Sequence, residues 1–139
     1  MYSLRRFSQR FLLLKTMFLV PTIRVSLLIL PYHIIQDYII KMVTKPVKRS
    51  KIDQRRLNLI AGNVVRVSHF VPGATCLTQA LATLVLLRQC SCPAMLRIGV
   101  GRNKAGKFEA HAWIESDGIV VIGGTKLDLY ERYSPLPLT

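Results

Sequence analysis

The spacing of apolar and polar positions along the 139 residues changes once, near Pro93. Before it, apolar residues recur at helical intervals and proline sets the limits. Residues 4–19, 22–30 and 32–43 read as three helices separated by Pro21 and Pro31, because proline breaks a helix interior but is tolerated in its first turn. TKPVKRSK, residues 44–51, reads as a charged linker. Asp53 is placed to N-cap a fourth helix over 54–69, with Leu57, Ile60, Val64, Val65 and Ser68 on one side. VPGA ends it.

The next helix is predicted over Cys76–Gln89, with Thr75 as its N-cap. Leu77, Ala80, Leu81, Leu84 and Leu87 fall at helical spacing, but Val85 and Leu86 fill the other side. A helix that is apolar nearly all round is a buried one, so it is the expected centre of the domain. After Pro93 the period becomes that of a strand. AMLRIGVGRN, the turn NKAGK, FEAHAWIES, an Asp117-Gly118 turn and IVVIGG predict a three-stranded antiparallel meander. Alternation puts Glu109, His111, Trp113 and Glu115 on one face of the middle strand. Phe108, Ala110, Ala112 and Ile114 take the other, which reads as the core face. The fold class is therefore α+β, a helical N-terminal part followed by a central helix on a small antiparallel sheet. The division expected is 1–50 for the basic apolar front and 51–139 for the core.

Charge sharpens this picture. Residues 1–56 hold twelve of the twenty Lys and Arg and two of the seven acidic residues, a surplus of ten against three in the remainder. Such a front suits an anionic partner, and with so few charges over so much apolar surface the expectation is a membrane surface or a protein partner. Nucleic acid is not expected, since aromatic residues are not interleaved with the cations and no recognition motif is present. A full membrane span is not expected either. Lys15, Arg24, Pro21 and Pro31 interrupt the apolar run, and its longest uncharged stretch is Val25 to Gln36.

Three cysteines, an odd number, argue against a disulfide framework and for a reducing compartment. Cys90 and Cys92 have no second Cys/His pair at zinc spacing, so neither a metal nor a cofactor is expected. Cys76 differs because it opens a helix. Unpaired N–H groups and a partial positive charge at a helix start favour thiolate over thiol. Thiol catalysis also needs a proton shuttle. Of His33, His69 and His111, His111 lies in a strand one helix-to-sheet connection downstream of Cys76. The bland reading is a small buried thiol and an unrelated imidazole.

VPGATCLTQALATLVLLRQ, then AMLRIGVGRNKAGKFEAHAWIESDGIVVIGG and the closing RYSPLP, resemble the leader-peptidase B proteins of lasso peptide biosynthesis, a transglutaminase-like, papain-like cysteine peptidase family. The resemblance extends over most of the chain and implies a C-terminal peptidase half of the split form. Cys76 would attack the bond between leader and core of a ribosomally made precursor peptide. His111 would act as general base and then acid, and the Cys76 N–H would donate to the oxyanion. Implied partners are a separate leader-recognition protein and an ATP-dependent cyclase, in the cytoplasm or at the inner face of the membrane. The family pattern has an Asp about twelve residues after the His; here that position is Gly123. Asp117 and Asp128 are the candidates put forward for the third catalytic role, with Glu115, Asn63 and a backbone carbonyl as alternatives. The alternative is a catalytically silent, peptide-binding scaffold of the same fold.

Overall fold

The computed structural model describes residues 2–44, 54–90 and 92–136. Its elements are α1 (Tyr2–Ile29), α2 (Tyr32–Thr44), α3 (Gln54–Ser68), α4 (Cys76–Gln89), β1 (Met95–Arg102), β2 (Phe108–Ser116), β3 (Ile119–Ile122), α5 (Lys126–Arg132) and β4 (Ser134–Pro135). The linker expected over 44–51 and the Asp53 cap lie almost wholly outside the described residues.

Pro21 does not end a helix. α1 runs through it as one element of 28 residues, although the proline deprives the Met17 carbonyl of its donor. Thr16 and Val20, just before the proline, are fully buried, and Ile23 and Leu27 beyond it pack on the same core. That packing against α3 and α4 outweighs an interior proline cost of about 3 kcal/mol. The Thr16, Thr22 and Ser26 hydroxyls donate to the carbonyls four residues earlier at 2.7–2.8 Å. The chain breaks at Pro31 instead, whose carbonyl accepts the Ile34 and Ile35 N–H groups that open α2.

α3 buries Leu57, Ile60, Val64 and Val67; Val65, expected in that stripe, is 37% exposed. α4 is buried nearly all round, as its sequence requires. It is packed between α1 and α3 on one side and the sheet on the other.

Among the described residues the sheet has four strands rather than three, in the order β3-β2-β1-β4. β4, only two residues long and containing a proline, leaves no periodic signal to read. β1 and β2 pair antiparallel from Met95↔Glu115 to Arg102↔Phe108. Asn103 shapes their connection, its Oδ1 accepting the N–H groups of Ala105 and Lys107. Asp117 and Gly118 both have positive φ, +47° and +78°, which is what a tight hairpin turn between twisted strands demands. The β2–β3 register shifts between Ile114 and Glu115, a bulge that continuous hairpin pairing does not anticipate.

The two faces of β2 are both covered over its second half. Ala112 and Ile114 join the large helix-facing core, while Trp113 joins Leu129 and Tyr133 in a smaller cluster supplied by α5 and its end. Phe108 and Ala110, read as core positions, are exposed because β2 runs past its covering elements there. Leu87→Ala in α4 should lower unfolding free energy by about 2–5 kcal/mol in denaturant titration; a loss below about 1 kcal/mol would contradict a close-packed α4.

Candidate active site

Of the two candidate groups, one opens a helix and the other stands in mid-strand. At the start of α4, Thr75 has extended backbone (φ −94°, ψ 175°) and its side chain accepts from the Thr78 N–H. Gln79 N–H returns to the Thr75 carbonyl at 3.0 Å. This cap fixes Cys76 as the first helical residue, half-buried and reduced. The first-turn N–H groups of Cys76 and Leu77 have no intrahelical partner by position, so they point at whatever occupies the helix end. In the preceding loop Gly73 lies close under Arg24 of α1: a Cβ there would sit 2.6 Å from the guanidinium Nη2.

His111 stands in the middle of β2. Its Nε2 is 2.7 Å from the Gly123 carbonyl oxygen. Its ring stacks on Tyr133 at 5.2 Å and 19°, and on Trp113 at 6.2 Å and 24°. Among the described residues Nδ1 has no hydrogen-bond partner.

No hydrogen bond joins Cys76 to His111. Cys76 packs against the core that contains Ala112 and Ile114, whereas His111 stacks with the aromatics of the opposite face. The structure thus places the thiol with the helix-facing core and the imidazole on the opposite face of β2, with no hydrogen bond between them. Asp117 sits in the hairpin turn. Asp128 caps α5, accepting from Thr125 Oγ1 at 2.8 Å. Neither is bonded to His111. Asn63 is buried within α3.

Glu115 is engaged elsewhere. Its carboxylate accepts Trp113 Nε1–H at 3.0 Å and Tyr130 O–H at 2.6 Å, and Arg97 Nε lies 3.6 Å away, an ion pair longer than a hydrogen bond. The network pins the fully buried Trp113 indole beneath His111. Alternation alone placed Trp113 and Glu115 on the His111 face. It carried no signal for Tyr130, Tyr133 or the Gly123 carbonyl, which arrive from beyond the hairpin. An apolar groove of about 300 Å³ between α1, α2 and α4 is lined by residues such as Ile23, Leu27, Ile35 and Leu81 and contains neither Cys76 nor His111. Among the described residues no group of His, Cys, Asp or Glu is arranged to hold a metal ion.

A family model described as the transglutaminase-like superfamily matches residues 22–137. No curated protein and no solved structure gives a significant match. That superfamily often includes cysteine peptidases.

The bond to Glu115 raises the Tyr130 phenol above its ordinary range, with burial and the carboxylate's charge adding and Arg97 opposing. A phenol raised on folding stabilises the native state fully below its unfolded value of about 10, and that contribution is lost as pH climbs through the folded value. In an ultraviolet titration, Tyr130→Phe should delete a phenol that ionises later than an unperturbed tyrosine. Loss of an ordinary-range phenol instead would contradict the network.

Proposed function

The chain belongs to the transglutaminase-like superfamily, and we propose that it is a cysteine peptidase that removes the leader from a ribosomally made lasso peptide precursor. Cys76 Sγ attacks the carbonyl carbon at the leader–core junction. His111 accepts the thiol proton through Nδ1 and returns it to the departing core amine. The first-turn N–H of Cys76 faces the developing oxyanion. Water then hydrolyses the leader thioester, restoring the thiol.

The observation that carries this reading is the capped first-turn thiol of α4 in a chain whose one strand-borne histidine is tethered through Nε2, leaving Nδ1 open. The order of the Cys-Leu helix, the Ile-Gly-Val strand and the His-Ala-Trp strand supports the choice of substrate. The reaction requires a Cys76–His111 hydrogen bond, which this structure does not contain. A separate leader-recognition protein and an ATP-dependent cyclase are the proposed partners. The missing Cys76–His111 bond favours one other reading, a silent peptide-binding scaffold. In that case Cys76 would react with a mild electrophile no faster than Cys90.

With the leader-bearing precursor and the recognition protein, Cys76→Ala should cut cleavage by about 10³-fold or more while the thermal melt is unchanged. Undiminished cleavage would remove the nucleophile assignment.

The proposed location is the cytoplasm, at the inner membrane face. Gln9–Ile29 of α1 is long and apolar enough to cross a membrane by length and composition. Its inner stripe is nonetheless committed to the protein, with Thr16 and Val20 fully buried. Its outer face shows Phe11, Leu14, Phe18 and Val25 at 50–76% exposure, beside Arg10 and Lys15. An apolar stripe flanked by cations suits lying on an anionic lipid surface. In sedimentation with phosphatidylglycerol vesicles, Phe18→Asp should weaken binding by about tenfold or more. Wild-type protein that ignores such vesicles, but binds the recognition protein through this face, would overturn the placement.

A further inference from the structure

We infer that the main-chain carbonyl of Gly123 is the group that positions the His111 imidazole for proton transfer, taking the role for which a carboxylate side chain was expected; this rests on the reading of Cys76 and His111 as the reacting pair. A carbonyl oxygen can only accept, so the 2.7 Å contact obliges Nε2 to carry the proton. The neutral ring therefore holds its basic lone pair on Nδ1, the nitrogen without a partner among the described residues. When Nδ1 takes the thiol proton, the ring becomes imidazolium with Nε2–H still donating to the same oxygen. Tautomer and ring direction are thus set before the substrate arrives, and the Tyr133 and Trp113 rings limit tilting.

Glycine is what allows the carbonyl to be there. Gly123 has φ +111° and Gly124 φ +135°, a backbone region that residues with a Cβ rarely adopt. A Cβ on Gly123 would lie 2.5 Å from Trp113 Cβ and 3.2 Å from the Ala112 carbonyl oxygen. Trp113 cannot yield, since its indole N–H is bonded to Glu115 and its residue is fully buried. The β2–β3 bulge and these two glycines turn the chain so that backbone, not side chain, meets the imidazole. A carboxylate at position 123 is excluded by the same contact that delivers the carbonyl.

The test uses the full-length, ¹⁵N-labelled protein, with His111 signals assigned by their loss in His111→Gln. At a pH where the ring is neutral, long-range ¹H–¹⁵N correlation should show one Nε2–H tautomer whose proton exchanges slowly with solvent. An Nδ1–H tautomer, or a mixture with a fast-exchanging proton, overturns the inference. Gly123→Ala should reduce kcat for precursor cleavage by about tenfold or more with KM little changed, and shift the tautomer balance. Should that variant not fold, the wild-type spectrum still decides. Cleavage that survives Cys76→Ala would dismiss the peptidase reading and leave the tautomer result standing; a wrong tautomer in an enzyme that Cys76→Ala inactivates would dismiss this inference alone.

Discussion

Helix α4 has to be enclosed on nearly every side, because Ala80 to Leu87 leave it no polar face. α1 and α3 cover one side and the β2 strand the other. Exposing such a helix would forfeit about 1.5–3 kcal/mol for each large apolar side chain, so its enclosure fixes where its N-terminus emerges. Cys76 is placed by that constraint together with the Thr75 cap. The same requirement explains why α1 continues through Pro21: its inner stripe is part of the wall around α4.

The sheet solves a second problem, how to hold one imidazole still. β2 is covered on one face by α4 and on the other by Leu129 and Tyr133, which pack on its own Trp113. Glu115, nearly buried, is compensated by Trp113, Tyr130 and Arg97, so the charge is paired as burial demands. This locks the indole, and the locked indole in turn forbids a side chain at Gly123. Polar network, glycine conformation and imidazole orientation are one linked arrangement.

Much of this was legible in the sequence. The all-round apolar pattern gave α4 its burial, Thr75 its cap, and Asp117-Gly118 the hairpin. The helix through Pro21 was not legible, since tertiary packing overrode a local rule. β4 left no pattern because two residues have no period. Gly123 was visible as a departure from the Asp that the resemblance implied, but not as a replacement for it. A carbonyl belongs to every residue, so only the bulge and the positive φ, both properties of the folded chain, reveal that this one is turned toward His111.

In the proposed reaction Cys76 carries the leader as a thioester. Acid-quenched intact mass spectrometry during turnover of the precursor, followed by peptide mapping, reads this directly. The expected result is a hydroxylamine-labile adduct of leader mass on the peptide containing Cys76. Leader release with the adduct on Cys90 or Cys92, or with no adduct under conditions that trap it in an established thiol peptidase, would contradict it.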